Sequence, residues 1–162
     1  MALQHKPLIL KNYMVNTLIE LLGIPLQANV ARSRNRFIML FNETATHIES
    51  ERQRLLQEYG VKDETTGDLK VGTDGHYEMT DKEAFTKAFE ELTQRTLAVP
   101  CTGEQYVDFS RVRNILETLE TRLTVAQTTI YDEIMNCFDD WAGIEREQSE
   151  AEEEGEDEGT PA

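Results

Sequence analysis

The sequence predicts an α+β domain that is predominantly α-helical and carries an acidic C-terminal segment. Over most of the 162 residues, apolar side chains recur at spacings of three and four, the period of helices that face a core. One shorter stretch alternates apolar and polar residues around glycines, which is typical of a β-hairpin. We expect shorter helices packed along a long central helix, with the hairpin and one or two short strands at one end.

A short strand and a short helix are predicted at the N-terminus. The apolar run at residues 8–10 follows Pro7 and predicts the strand. Asn12 is placed to cap the helix that comes next, and Gly23 with Pro25 is placed to end it. The inward face of this helix would consist of Val15, Leu18, Ile19 and Leu22.

The central helix is predicted to start near Asn29 and to run to Gly60. Its stripe advances in steps of four or three, with Arg52 at one of the positions, and its other members are Phe37, Phe41, Ala45, Ile48, Leu55 and Tyr59. At 1.5 Å per residue, about 30 residues span about 45 Å, enough to form the spine of the domain.

The hairpin is predicted between this helix and the next. Leu69 and Val71 alternate with polar residues on one side, Tyr77 and Met79 do so on the other, and residues 72–75 form the turn. A second short strand is predicted at residues 97–99. These strands and the hairpin could join into one small sheet.

Local capping signals predict where the remaining helices begin and end. Thr80 opens an S/T-x-x-E capping box, Ser110 is placed to cap the next helix, and Thr124 opens another capping box. We expect a break between helices near Arg122 and a helix end at Gly143. The predicted inward residues of these three helices are Phe85, Ala88, Phe89, Leu92, Val112, Ile115, Leu116, Leu119, Ile130, Tyr131, Ile134, Met135, Phe138 and Trp141.

About half of the net charge of −15 falls in the last eighteen residues, which hold nine acidic residues and Arg146. This acidic tail, residues 145–162, has no apolar period, so we expect it to be disordered after a single domain at residues 1–144. The tail is interpreted first as a solubilising terminus. The alternative is a tail that binds a partner or mimics nucleic acid.

No pattern typical of an enzyme or of a cofactor site occurs. Nucleotide-binding glycine motifs, a serine nucleophile elbow and the zinc-protease motif are all missing. Cys101 and Cys137 are interpreted as reduced apolar side chains, and the three histidines share no metal-ligand spacing. We therefore expect a protein without catalytic activity, cofactor or metal. The apolar stretches predict neither export nor membrane association, so a cytoplasmic or virion protein is expected.

Three arginines, Arg32, Arg34 and Arg36, lie at the start of the central helix, and they lack a local partner. No acidic residue occurs between Glu20 and Glu43. The helix dipole and the i, i+4 repulsion between like charges both disfavour this placement. Either acidic residues elsewhere in the fold compensate them, with Asp139, Asp140, Glu90, Glu91 and the acidic tail as candidates, or a partner's acidic or phosphate groups do.

Several segments together resemble a family of small proteins encoded by tailed phages and prophages of Gram-positive bacteria. They are LILKNY, LIELLGIPLQ, ARSRNRFIMLF, ERQRLLQEYGVKDE, GDLKVGTDGHYEMTDKEAF and TIYDEIMNCF, and the resemblance covers residues 8–140. It implies a phage genome, expression in a bacterial host and no export. It implies no reaction, cofactor or catalytic residue, and the acidic tail lies outside the family's pattern.

From the residues and this resemblance together, we expect a non-catalytic phage-encoded protein that binds another protein, either a phage assembly or structural partner or a host factor. The predicted contact residues are Arg32, Arg34 and Arg36, with Tyr77 on a second surface. Direct binding to nucleic acid is not expected, because so acidic a chain repels the phosphate backbone. The alternative function is inhibition of a host nucleic-acid enzyme by mimicry of DNA.

Overall fold

A computed structural model describes residues 4–144 and shows a mostly helical α+β fold. Two strands, five α-helices and one short 3-10 helix (Asn12–Met14) make up this part of the chain. In chain order the α-helices and strands are β1 (Gln4–Lys11), α1 (Val15–Leu22), α2 (Ala28–Tyr59), α3 (Lys82–Gln94), β2 (Thr96–Thr102), α4 (Tyr106–Glu117) and α5 (Val125–Ala142).

The two strands pair with each other and cover one side of the core. β1 and β2 run antiparallel, with Leu8 opposite Val99 and Leu10 opposite Leu97. These four side chains are buried, whereas Ile9 between them is 42% exposed. The sheet therefore has one face on the core and one in solvent, as period-2 alternation requires. Both predicted short strands are confirmed.

α2 is the spine of the fold, as the sequence predicts, and it begins and ends within a residue of the predicted limits. α4 packs against its first half and α3 packs farther along, while α5 packs on β1 and α1. The first half of α2 thus lies in the main core. Its second half carries α3 and the segment between the two helices.

Four phenylalanines form the centre of the core. The ring of Phe37 on α2 lies 5.7 Å from that of Phe41, 5.1 Å from that of Phe109 on α4 and 6.0 Å from that of Phe138 on α5, between ring centroids. All four are at most 1% exposed. Phe37 consequently holds three helices together through ring contacts.

The capping predictions have mixed outcomes. Thr124 forms the predicted capping box with Gln127, and Gly143 ends α5 in the left-handed conformation with φ 69°. The break near Arg122 is confirmed between α4 and α5. Thr80 is not the cap of α3, because the neighbouring Asp81 accepts a hydrogen bond from the amide of Ala84. The Thr80 hydroxyl instead donates to the carbonyl of Tyr59, at the end of α2.

Two further caps were wrong because tertiary contacts decide them. α4 starts four residues before Ser110, since the fully buried Phe109 extends the inward face by a turn. Asn12 does not cap α1. Its side chain donates to the carbonyl of Leu92, 2.8 Å away, and so joins the start of the chain to the end of α3.

The predicted hairpin forms, but it does not join the sheet. Val71 and Tyr77 pair as an isolated antiparallel bridge, and another bridge joins Gly60 to Met79. The segment therefore folds back onto the C-terminal end of α2, apart from β1 and β2. One sheet containing all of these strands was an incorrect expectation.

The acidic tail and the boundary predicted before it lie outside the described residues. Among residues 4–144, no helix is both long enough and apolar enough to cross a membrane.

The ring cluster leads to a stability prediction. Replacing Phe37 by alanine (Phe37→Ala) should lower the free energy of unfolding by about 3–5 kcal/mol, because it removes ring contacts and leaves a cavity among three helices. Phe89→Ala is the matched control: this ring is 36% exposed on α3, and its loss should cost about 1 kcal/mol or less. Urea unfolding followed by circular dichroism measures both, and similar losses would contradict the core assignment.

Candidate functional site

A buried hydroxyl brings two arginines together where α2 meets α4. Ser33 on α2 is 0% exposed. Its oxygen lies 2.8 Å from a guanidinium nitrogen of Arg111 on α4 and 3.4 Å from one of Arg36. A hydroxyl oxygen has two lone pairs, so it accepts both hydrogen bonds. The two positive groups are therefore held side by side at the contact between the helices.

One carboxylate stands against these charges. Asp108 on α4 accepts hydrogen bonds from Nε and Nη2 of Arg36, at 2.8 and 2.6 Å, and only 8% of its side chain is exposed. Arg36 above all, with smaller contributions from Ser33 and the charge of Arg111, holds the pKa of Asp108 below its ordinary value. Asp108 therefore stays ionised at neutral pH and joins α4 to α2 through a bidentate ion pair with Arg36.

The third charge comes from Arg32, one helical turn before Arg36. Its side chain is exposed, and it makes no hydrogen bond or ion pair with residues 4–144. Arg36 also keeps 48% of its side chain exposed despite its ion pair. We call Arg32, Arg36 and Arg111 the arginine face. Three guanidinium groups and one carboxylate give it a local excess of positive charge on a chain of net charge −15.

Exposed apolar side chains lie next to this charge. Met39 follows Arg36 by three residues on α2 and is 66% exposed, and Val107 precedes Arg111 by one turn on α4 and is 51% exposed. Residues at these spacings share a helix face. The arginine face thus combines positive charge with apolar surface.

Arg34 contacts the end of α1. Its Nη1 donates to the carbonyl oxygens of Leu22, at 3.1 Å, and of Ile24. It therefore satisfies groups at the end of α1 that have no helical partner. Arg34 is thus engaged within the fold, and its assignment as a contact residue for a partner stays a prediction.

Internal compensation is thus the outcome for two of the three arginines, but through groups that the sequence did not indicate. Asp108 pairs with Arg36, and backbone carbonyls pair with Arg34. Asp139, one of the expected partners, pairs instead with Arg113 at 2.7 Å.

Tyr77 lies far from the arginine face. It is 46% exposed at the mouth of a groove of about 860 Å³ between the hairpin and α3. The apolar side chains of this groove include Leu56, Val61, Met79 and Phe85. From Arg36 to the end of α2, where this segment is anchored, the helix rises about 35 Å. The structure therefore keeps Tyr77 on a second surface.

Sequence reasoning missed Ser33, Asp108 and Arg111 as members of the site. A signal for Asp108 was present: it lies four residues before Val112, on the inward face of α4, where an unpaired carboxylate would be costly. Starting that helix at Ser110 removed Asp108 from the pattern. Ser33 carries the same signal, because it lies four residues before Phe37 on the inward stripe of α2. Nothing local marks Arg111.

The side chains of the arginine face have the chemistry to bind anions. Guanidinium groups do not release a proton at neutral pH, so they cannot act there as general acids or bases. Burial raises the pKa of the Cys101 thiol to about 11, so it carries no thiolate at neutral pH. Among the described side chains, no group of three or more His, Cys, Asp and Glu is arranged to hold a metal ion.

Comparison with known proteins adds no relative. No protein-family model matches the chain, and neither a curated protein nor a solved structure matches it. The phage setting implied by the sequence resemblance remains a prediction.

The ion pair of Asp108 leads to a pH-dependent prediction. Its lowered pKa means that the carboxylate stabilises the fold above its ordinary pKa of about 4, and that this contribution is lost as pH falls through the folded-state value. Asp108→Asn should therefore be less stable than wild type at neutral pH, and the difference should shrink as the pH falls below the ordinary pKa of about 4.

Urea unfolding of both proteins from about pH 7 to about pH 2 measures this difference. Asp132→Asn, which removes an exposed carboxylate from α5, is the control and should change stability little at any pH. A difference between wild type and Asp108→Asn that persists undiminished at the lowest pH would contradict the ionised pair.

Proposed function

We propose that this protein is a non-catalytic binding module that recognises an acidic segment of a partner protein through the arginine face. In the setting that the sequence resemblance implies, the partner is a phage assembly or structural protein or a bacterial host factor. The proposed contact residues are Arg32, Arg36 and Arg111, and Arg34 stays a predicted one.

The observation that carries this proposal is the excess of positive charge around Ser33. Three guanidinium groups face one carboxylate, and Arg32 donates to no group of residues 4–144. Arg32 and Arg36 lie one turn apart, where like charges repel. An incoming carboxylate relieves this repulsion and fits the planar donor fork of arginine.

A protein segment fits this surface better than a nucleic acid does. Met39 and Val107 offer exposed apolar contacts beside the charge, which suit side chains of a peptide. A nucleic-acid backbone would place many phosphates beyond the three arginines, and the acidic residues that dominate the chain would repel them. DNA mimicry, the alternative function, depends on the acidic tail outside the described residues and stays a prediction.

Tyr77 and the hairpin groove form the second proposed surface. The groove is lined by both apolar and polar residues, and Tyr77 contributes a ring with a polar tip, a type of residue enriched in interfaces. Because it lies at the other end of α2, it would contact a different part of a partner.

The proposal is tested with a short fluorescent peptide that alternates Asp and Glu around one Leu and one Phe, followed by anisotropy at low salt. Arg32→Gln should weaken binding up to about fivefold, and combining it with Arg111→Gln should weaken binding about tenfold. Arg54→Gln is the matched control on the same helix: Arg54 pairs with Glu51 and Glu58, so its loss should leave peptide affinity unchanged.

The assay uses wild type and a tail-amide variant, in which six carboxylates of the tail become amides so that the chain's own acidic residues do not compete. The substitutions are E152Q, E153Q, E154Q, E156Q, D157N and E158Q. Absence of binding in both proteins, or equal loss in Arg32→Gln and Arg54→Gln, would overturn the proposal.

A further inference from the structure

The chain leaves the described fold beside α4. The indole ring of Trp141, in the last turn of α5, lies 5.3 Å from the ring of Tyr106 and 5.5 Å from that of Phe109, between centroids. Both partners belong to the first turn of α4. Two residues after Trp141, Gly143 turns the backbone out of the helix, and the amide of Ile144 donates to the carbonyl of Asp139. Ile144, the last described residue, is thus three residues from the contact between Trp141 and the N-terminal turn of α4.

The arginine face is within reach of this point. Phe109, which contacts Trp141, directly follows Asp108, which binds Arg36. Arg111, two residues after Phe109, lies on the opposite side of α4, so the tail must pass around this helix to meet it. To pass around α4, the chain must cover more than one helix diameter, about 10–12 Å. Eighteen residues can span up to about 60 Å, so the chain length sets no obstacle.

The charges of the two segments are complementary. Residues 145–162 contain nine carboxylates and Arg146, whereas the arginine face has three guanidinium groups and one carboxylate. We propose that the acidic tail docks on the arginine face of its own chain and competes there with the acidic segment of the partner. This regulation rests on the proposed function, because it names a competitor for the same site.

How strongly the tail competes with a partner depends on the effective concentration of the tail, which its covalent attachment sets. Covalent attachment through fewer than eighteen residues gives the tail an effective concentration of about millimolar at the arginine face. A contact of about millimolar intrinsic affinity is then occupied about half of the time, which lowers the apparent affinity for a partner about twofold. The contact is electrostatic and exposed, so added salt releases it.

Other positive groups lie near the point of exit. Lys6 on β1 donates to the carbonyl of Asp140, at 3.0 Å, and so is engaged with α5 itself. The arginine face differs from it in having three charges together and an arginine, Arg32, without a described partner. Docking near Lys6, or on a second copy of the chain, is therefore a distinct outcome that the experiment must separate.

Paramagnetic relaxation enhancement tests the docking without any partner. A nitroxide is attached at Ser149→Cys in the full chain, with Cys137→Ala to remove the half-buried thiol, and amide signals are recorded at low salt. We expect broadening of the amides of Arg32, Arg36 and Arg111, and its loss at about 500 mM salt, where the Debye length falls to a few ångström. Combined Arg32→Gln and Arg111→Gln should reduce the broadening, whereas Arg54→Gln should not.

Three results would overturn the docking: no broadening at the arginine face, broadening centred on Lys6, or broadening that persists at high salt. To detect contact with a second copy, spin-labelled protein at natural isotope abundance is mixed with isotope-labelled protein that carries no spin label. Broadening confined to that mixture would also overturn the docking.

The peptide assay separates this inference from the proposed function. If both hold, the tail-amide variant binds the acidic peptide about twofold more tightly than wild type. Equal peptide binding by the two proteins, with no broadening, retains the binding module and rejects the docked tail. Broadening at the arginine face without peptide binding in either protein retains the docked tail and rejects the binding module.

Discussion

The carboxylate of Asp108 is the constraint on which the contact between α2 and α4 depends. A buried charge is tolerated only with a partner and with its hydrogen bonds made, so Arg36 must reach it from the neighbouring helix. That requirement sets the rotation of both helices and places the small side chain of Ser33 between them. In the same orientation the rings of Phe37 and Phe109 meet edge to face beneath the ion pair. Polar and apolar contacts thus specify one docking of α4 on α2.

The same arrangement explains why positive charge remains at the surface of an acidic protein. One carboxylate satisfies Arg36, while Ser33 supplies only an uncharged acceptor to Arg111. The side chain of Arg32, one helical turn before Arg36 on α2, is exposed. The guanidinium groups at this helix contact therefore outnumber the carboxylates that neutralise them, and the remaining positive charge lies at the surface. Structure and proposed binding share residues here, so only Arg32 can be changed without disturbing a described contact.

The two ends of α2 have different characters. Its first half is surrounded by the main core and carries the arginine face, while its second half is covered by α3 and by the hairpin segment. Side chains of that segment are mostly exposed or half-buried, and Tyr77 is among the exposed ones. A long helix that lies in the main core at one end and is thinly covered at the other offers two separate surfaces, one rich in arginine and one a groove of mixed apolar and polar lining.

The sequence by itself determined the helical class, the extent of α2, both short strands and the caps at Thr124 and Gly143, because periodicity and capping depend on residues a few positions apart. Only the tertiary structure decided that Arg36 pairs with Asp108, 72 residues away, and that Asn12 bonds to Leu92, 80 residues away. Partners so distant in the chain meet only through the docking of helices. For the same reason the sequence marked Arg32 and Arg36 as lacking a local partner but could not supply Ser33, Asp108 and Arg111, which complete the site.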